Sequence, residues 1–180
     1  MYARKLQLCW KRCTEDKLDA SKGDSPIMKI AIGSDERTHL TNVVIEELKQ
    51  RGYEVQPFGP LTENDPEGDW PLTSSKVAQA VANKQADEGI VFCWTGTGAS
   101  IAANKVPGIR AALCHDAQTA SGARTWNHAN VLALSLRTTT EAIAKEILDA
   151  WFSTPYSDDE WNRQQIARIQ QLEERARGQS

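Results

Sequence analysis

The sequence predicts an α/β protein whose doubly wound, five-stranded parallel sheet is covered by helices on both faces. Short apolar segments alternate with segments whose apolar residues recur at helical spacing, an alternation typical of successive β-α-β units. The apolar segments carry few polar residues, which is typical of strands buried on both faces. At 180 residues, the chain is long enough for one such domain, and two would be cramped.

Strands are expected where apolar residues run together, at 29–33, 53–58, 90–92, 109–114 and 130–135. Helices are expected at 39–51, 74–84, 100–104, 117–123, 141–152 and 161–176. In the first helix, apolar residues recur at i, i+3, i+4 and i+8 from Leu40, and Gly52 is placed to end it. Residues 59–71 are expected to form a polar loop. Because strands and helices alternate throughout, the sheet should be Rossmann-like.

Residues 1–27 are expected to be an extension outside the domain, which would then span residues 28–180. The segment is basic and polar, and Ser25-Pro26 separates it from the first strand. It lacks the apolar run that a secretory signal needs. A disordered arm or a wrongly assigned start fits this composition. The alternative is a short helix around Leu6 and Trp10 that docks on a partner subunit.

The composition argues against nucleic-acid and membrane partners. The formal net charge is −3, so no basic field suggests binding to nucleic acid. No apolar run reaches the roughly 18 residues of a membrane span. The chain has four cysteines, and they do not have zinc-site spacing. We therefore expect a reduced, cytoplasmic protein without a bound metal.

The most informative segment is 89–105, which combines a buried strand, a cysteine, a Gly/Thr turn and a helix start. Ligands of open parallel sheets bind at the carboxyl ends of strands, and Cys93 lies at such an end. A helix N-terminus can lower the pKa of a nearby thiol from about 8.5 to roughly 3.5–7.5. Amides of the turn 95–98 could hold a developing oxyanion. Cys93 is therefore predicted to be a thiolate base or nucleophile; the alternative is an inert core cysteine.

Three rival motifs fit this segment poorly. A dinucleotide fingerprint needs a third glycine where the chain has Ile101. A phosphate-binding P-loop needs Lys followed by Ser or Thr where the chain has Ala99 and Ser100. A cysteine phosphatase needs an arginine six residues past its cysteine, and Ala99 stands there. A nucleotide-binding function is thus disfavoured, and a cysteine phosphatase is excluded.

Similarity to a known family is carried by five segments, residues 30–35, 69–71, 93–98, 100–116 and 130–132. They resemble the type B ribose-5-phosphate isomerases and their galactose-6-phosphate isomerase relatives, and the resemblance spans about residues 28–170. It implies an aldose–ketose isomerisation of a phosphorylated sugar, of the ribose 5-phosphate/ribulose 5-phosphate type, that uses neither a metal nor a cofactor. It also implies a homodimer or homotetramer with the active site at the subunit interface.

The resemblance assigns roles to individual residues. Cys93 corresponds to the thiol that moves a proton between C1 and C2 of the sugar through a cis-enediolate, and Thr95 belongs to the same catalytic turn. The substrate-binding positions that it implies are Asp35, then Gly96, Thr97, Gly98 and Ala99 of the turn, then Asn127 and Arg137. Arg137 would help to bind the phosphate across the dimer interface.

Several positions depart from the family pattern. Glu36, which we expect to contact the substrate, stands where the family has a histidine. Trp126 stands at the position of the histidine that opens the furanose ring, and Trp94 replaces a glycine after the cysteine. The proton-transfer residues are thus kept, whereas ring opening is altered.

Phosphate binding is altered as well. Arg37 follows Glu36 and could replace the missing histidine, because a guanidinium binds phosphate bidentately. The family's C-terminal arginine pair is represented by Arg163 and Arg168 at a changed spacing. The alternative for each of these arginines is a solvated surface position.

These departures suggest a different substrate. Because a tryptophan cannot act as a general acid at neutral pH, we expect a sugar phosphate that stays open-chain, such as a tetrulose 4-phosphate, whose esterified C4 hydroxyl prevents ring closure. The competing hypothesis is that His128 or His39 has taken over ring opening, which would make His128 catalytic. A regulatory protein that binds a sugar phosphate without turnover is the alternative from another functional class.

Overall fold

The sheet has the predicted architecture, five strands that all run parallel. The computed structural model describes residues 27–65 and 68–178, so the expectation for residues 1–26 lies outside the described residues. The strands are β1 (Lys29–Ser34), β2 (Glu54–Phe58), β3 (Glu88–Cys93), β4 (Ala111–Leu113) and β5 (Val131–Ser135). Their order is β2-β1-β3-β5-β4, which places β3 at the centre of the sheet.

The described part of the chain contains six α-helices: α1 (His39–Gln50), α2 (Trp70–Ala82), α3 (Thr97–Ala103), α4 (Ala117–Asn127), α5 (Glu141–Ser153) and α6 (Glu160–Arg177). Buried side chains of α1, α4 and α5 pack on one face of the sheet, and those of α2 and α3 pack on the other. The sheet is therefore doubly wound, as predicted. Each large apolar side chain in these clusters contributes about 1.5–3 kcal/mol by leaving water.

Two helices begin one turn earlier than the sequence pattern predicts. Asp69 caps α2 by accepting the Leu72 N–H at 2.9 Å, so the helix starts at Trp70 inside the segment that was expected to be a loop. α3 starts at Thr97 because Gly96, with a left-handed φ of 75°, turns the chain directly into the helix. Among the described helices, none is long and apolar enough to span a bilayer.

β4 is shorter than the predicted strand because neighbouring side chains occupy its backbone groups. The Asn104 side-chain amide donates to the Ala111 carbonyl at 2.8 Å, and its oxygen accepts the Ala111 N–H at 2.8 Å. The Asn130 side-chain oxygen accepts the Arg110 N–H at 2.8 Å. Since β4 forms one edge of the sheet, the Asn104 amide covers groups with which another strand would otherwise pair.

Candidate active site

Cys93 is the last residue of β3 and lies at the carboxyl edge of the sheet, where the loops that follow the strands meet. Its side chain is 6% exposed and packs on the face covered by α2 and α3. The Cys93 Sγ accepts the N–H of Ala99 at 3.5 Å, in the first turn of α3. The thiol therefore lies directly beneath the Gly/Thr turn, at the edge of the core.

The turn after Cys93 approaches its neighbours closely at two glycines. Gly96 has a φ of 75°, and a Cβ there would lie 2.5 Å from Leu113 Cδ1 and 3.0 Å from the Leu134 carbonyl group. A Cβ at Gly98 would lie 2.9 Å from the indole of Trp70. The turn is therefore packed between β5 and the start of α2. Trp70, which the sequence pattern did not place at the site, covers the turn from the α2 side.

Asp35 follows β1 and falls beside Cys93. Ser34, the last residue of β1, pairs with Phe92, so Asp35 and Cys93 each come one position past this pair, on neighbouring strand ends. The Asp35 Oδ1 is buried and has no hydrogen-bond partner among the residues that the structure describes. Burial raises the pKa of Asp35, and the charge of Glu36 adds to the rise, while backbone hydrogen bonds lower it in part. Because a buried, unpaired oxygen is costly, it is suited to accept a ligand hydroxyl.

The guanidinium of Arg37 is already bound by protein groups. It donates to the Asn42 side-chain oxygen at 2.9 Å and to the carbonyls of Pro60 and Leu61 at 3.4 and 2.5 Å. These contacts tie the loop after β1 to the loop after β2, beside a surface cavity of about 280 Å³. They engage three of the five guanidinium N–H groups, so a phosphate could bind the remaining two on this exposed side chain. Glu36, the neighbouring residue, is exposed.

Thr95, Thr97 and Arg137 are exposed at the same edge of the sheet. The Thr97 N–H donates to the Thr95 hydroxyl oxygen at 3.4 Å. The Trp94 carbonyl accepts the Arg137 N–H at 3.0 Å and the Ser135 hydroxyl at 2.9 Å. These bonds fasten the turn to the end of β5 through its backbone, so the three exposed side chains remain accessible to a ligand.

Four predicted site residues lie near the opposite edge of the sheet, where the strands begin: Asn127, His128, Arg163 and Arg168. The His128 carbonyl accepts from Nε of Arg110 at 2.8 Å, and Arg110 precedes β4. β5 has five residues and ends opposite Cys93, so its length of roughly 16 Å separates the two edges. One chain therefore brings Asp35, Arg137 and the turn 93–99 to one edge, and the other four residues to the opposite edge.

We call residues 125–130 the α4 corner. α4 continues to Asn127, past its predicted end, and His128 ends it with a left-handed φ of 48°. The His128 ring stacks on Tyr156 with 4.7 Å between centroids, and its Nε2 lies 2.8 Å from the Ser157 carbonyl oxygen. Trp126 is 61% exposed. Asn127 lines a groove of about 460 Å³ whose walls include residues of β4 and α6. The corner is thus well anchored, with Trp126 and Asn127 turned outward.

Arg163 and Arg168 lie on the exposed side of α6. Nη2 of Arg163 lies 3.0 Å from the Glu160 carboxylate, and Arg168 donates to the Gln165 side-chain oxygen at 3.0 Å. Such contacts between exposed side chains one turn apart are weak. Both guanidinium groups can therefore exchange them for an anionic ligand.

A buried ion pair beneath the α4 corner was not indicated by the sequence pattern. Glu88, the first residue of β3, is 5% exposed, and its Oε1 lies 2.6 Å from Nη2 of Arg124 on α4. The available signal was a carboxylate next to the apolar run that begins at Ile90. The strand was predicted to start at Ile90, which leaves Glu88 outside it.

The carboxyl edge of the sheet thus combines a thiol, a carboxylate and the amides of a helix start. Groups of these kinds can move a proton on a small polar molecule and stabilise the anion that forms. Within residues 27–65 and 68–178, no three His, Cys, Asp or Glu side chains are grouped so as to hold a metal ion. The fold and the site define an α/β enzyme with a small-molecule site at the ends of its parallel strands.

Comparison with known proteins identifies the family and confirms the resemblance. The sequence model of the ribose/galactose isomerase family matches residues 30–172, and this chain belongs to that family. It is therefore an aldose–ketose isomerase of the sugar-phosphate class.

Three similar proteins illustrate the match. Ribose-5-phosphate isomerase B of Escherichia coli K12 is 39% identical over 148 residues, which cover 82% of this chain and 97% of that protein. D-erythrulose-4-phosphate isomerase of Pectobacterium atrosepticum is 38% identical over 134 residues, which cover 72% and 86%. The structure of ribose-5-phosphate isomerase B from Clostridium thermocellum matches with a TM-score of 0.76 and 41% identity, covering 83% of this chain and 99% of that one.

Proposed function

We propose that this chain interconverts an aldose phosphate and its ketose isomer by proton transfer through Cys93. The supporting observation is that the Cys93 Sγ accepts the Ala99 N–H at 3.5 Å in the first turn of α3, at the end of the sheet where Asp35 follows β1. The Cys93 thiolate removes the proton from the carbon next to the carbonyl, and the C–H electron pair becomes the C=C bond of an enediolate. The same thiol then returns the proton to the neighbouring carbon.

The surrounding groups stabilise the charge that develops. The first amides of a helix have no acceptor within it, so the Gly98 N–H can donate to the enediolate oxygen, and the Thr97 N–H can join it by giving up its long 3.4 Å contact with the Thr95 hydroxyl. The Asp35 carboxylate accepts a hydrogen bond from a substrate hydroxyl. The isomerisation also moves a hydroxyl proton between the substrate oxygens on C1 and C2, and we propose that the Thr95 hydroxyl carries out this transfer. Because a thiol that works as a base has to stay reduced, the proposal also places the protein in the cytoplasm.

Solvent exchange tests the role of Cys93. In D₂O, the wild-type protein should incorporate deuterium at the carbon next to the carbonyl of its substrate, and Cys93→Ala should slow incorporation and turnover about 10²–10⁴-fold. Cys114→Ala is the matched control, since it removes another buried thiol and should change neither rate. Full turnover by Cys93→Ala would refute the mechanism. Binding of sugar phosphates by both proteins without any exchange would support the regulatory alternative.

The substrate that we propose is an open-chain four-carbon ketose phosphate. Trp126 occupies the position that the family resemblance gives to the ring-opening histidine, and one relative at 38% identity is a D-erythrulose-4-phosphate isomerase. We expect kcat/KM for erythrulose 4-phosphate to exceed that for ribose 5-phosphate by at least about tenfold. A general acid contributes about 10²–10⁴-fold to the rate of the step that it assists, and a site without a ring-opening acid loses this rate acceleration on a cyclic sugar. Faster turnover of ribose 5-phosphate would refute the open-chain proposal and favour His128 or His39 as the replacement acid.

We further propose that two copies of the chain share each active site, within a homodimer or a homotetramer. The two groups of site residues lie at opposite edges of the sheet in one chain, so a second copy must supply its α4 corner to the Cys93 edge. Large apolar side chains exposed in the single chain support an interface: Trp94 (59%), Trp126 (61%), Trp161 (66%) and Leu172 (62%). Light scattering should give at least twice the chain mass, and a fully active monomer would refute the shared site.

A further inference from the structure

The Glu88–Arg124 ion pair is buried where the strands begin, at the end of the sheet that carries the α4 corner. Glu88 accepts from both sides: the Arg124 guanidinium lies 2.6 Å from its Oε1, and the Trp151 indole N–H donates to its Oε2. The Arg124 guanidinium also lies over the Trp151 ring, 5.0 Å from its centroid. Residues of β3, α4 and α5 thus meet at one carboxylate.

The pair is a costly way to fill this space. Burial raises the pKa of Glu88, and the charge of Arg124 offsets the rise only in part. Apolar side chains of similar volume often stabilise a core at least as well as a buried ion pair, whose best-attested contribution is to fix one arrangement. The structural question is therefore which arrangement this pair fixes.

The contacts of Arg124 lead directly to the α4 corner. Its Nη1 donates to the Ala129 carbonyl at 2.7 Å and to the Tyr156 hydroxyl oxygen at 2.8 Å. Its guanidinium lies 4.3 Å from the Tyr156 ring centroid, and the Tyr156 ring in turn stacks on the His128 ring. The charge of Glu88 holds the guanidinium in the one orientation that makes all these contacts, because the fork of donors is planar and rigid.

The backbone of the corner needs such support. His128 has a φ of 48°, a left-handed conformation that is uncommon for residues with a Cβ and less favourable for them than the right-handed one. The Ala129 N–H donates to the Ala123 carbonyl at 3.0 Å, and the Asn130 N–H donates to the Arg110 carbonyl at 3.1 Å. These bonds end α4 and start β5, and the Ala129 carbonyl between them is the group that Arg124 binds.

We infer that Glu88 and Arg124 are positioning residues, which hold the α4 corner in the conformation that presents its outward-turned residue Asn127 to the substrate. The inference rests on the proposed function, in which the α4 corner of a second copy completes the active site. Glu88 acts through Arg124, and Arg124 acts through Ala129 and Tyr156. Neither charged residue touches the substrate.

The experiment compares Glu88→Gln and Arg124→Lys with Val44→Ala, a truncation of a fully buried residue on α1. Glu88→Gln keeps the shape and removes the charge, and Arg124→Lys keeps the charge and removes the planar fork. All proteins are studied well below their unfolding midpoints, which a thermal melt provides. Hydrogen exchange by mass spectrometry then follows the amides of residues 128–130, and steady-state kinetics follow kcat and KM.

We expect both charged-residue variants to exchange the amides of residues 128–130 at least about tenfold faster than the wild type, because local opening is no longer opposed by the fork. Their kcat/KM should fall about 10- to 100-fold, since small displacements of positioned groups have effects of this size. Val44→Ala should lower the unfolding midpoint and leave both readouts unchanged.

The outcomes separate this inference from the proposed function. Unchanged exchange at residues 128–130 in both variants would overturn the inference, as would faster exchange with unchanged kcat/KM. Equal effects of Val44→Ala would show that general destabilisation is the cause. If the wild type turned over no sugar phosphate, the proposed function would fall, and the exchange data would still decide whether the ion pair holds the corner.

Discussion

Alanine at Gly96 should be far more harmful than alanine at Gly108, although both glycines have nearly the same left-handed backbone. Gly96 has a φ of 75° and Gly108 a φ of 80°, so each substitution incurs about 1–2 kcal/mol for placing a Cβ there. A Cβ at Gly108 meets nothing within 4 Å, whereas one at Gly96 lies 2.5 Å from Leu113 and 3.0 Å from the Leu134 backbone. Overpacking adds about 1–3 kcal/mol, which gives about 2–5 kcal/mol in total for Gly96→Ala.

Urea unfolding measures this difference, and the two variants control for each other. The free energy of unfolding should fall by about 2–5 kcal/mol in Gly96→Ala and by about 1–2 kcal/mol in Gly108→Ala. Turnover should fall only in Gly96→Ala, because displacement of the turn moves the Ala99 N–H away from the Cys93 Sγ, which it contacts at 3.5 Å. Equal losses of stability would refute the reasoning, since they would show that β5 yields to the added Cβ at little cost.

Three further substitutions or treatments test other parts of the structure. The pKa of Asp35 is raised in the folded chain above its ordinary value of 3.8. Its carboxyl therefore favours folding at a pH below 3.8 and loses this contribution as the pH rises through the raised pKa. Asp35→Asn should accordingly be more stable than the wild type at neutral pH, yet inactive. Asn104→Ala should lose about 1–2 kcal/mol of unfolding free energy, because both polar backbone groups of Ala111 lose a partner. Burial raises the pKa of Cys114 to about 12, so iodoacetamide should label it only after unfolding.

Each of these outcomes has a contrary result. A gain for Asp35→Asn that persisted unchanged below its ordinary pKa would show that the carboxyl charge is not the cause. An unchanged unfolding midpoint for Asn104→Ala would mean that water replaces the amide. Peptide mapping that found Cys114 alkylated in the folded protein, at the rate of a free thiol, would contradict its burial.

The strands could be predicted from the sequence because a parallel sheet buried on both faces needs short, nearly continuous apolar runs, and β3 and β5 are such runs. Helix starts were predicted less well. The first turn of α2 contains Trp70 and Pro71, which read as a loop until the Asp69 cap is seen. β4 was predicted too long because apolarity alone does not show that Asn104 binds its backbone.

The candidate site could be predicted only in part. Cys93 and its turn are contiguous in sequence, so their proximity follows from the chain itself. The separation of Asn127 from Cys93 follows from the predicted topology, because a helix that connects two parallel strands starts at their carboxyl ends and finishes at their amino ends. The Glu88–Arg124 pair joins residues far apart in sequence, and no local pattern indicates such a contact.

The placement of one chain's functional groups at opposite edges of its sheet has a consequence for mixtures of inactive proteins. If two chains share each site, Cys93→Ala damages one contribution and Asn127→Ala damages the other. When such proteins exchange subunits at equal concentration, half of the two-fold dimers become hybrids, and each hybrid regains one undamaged site, so about a quarter of the wild-type rate should return. Two defective genes expressed together could thus rescue a cell that neither rescues alone.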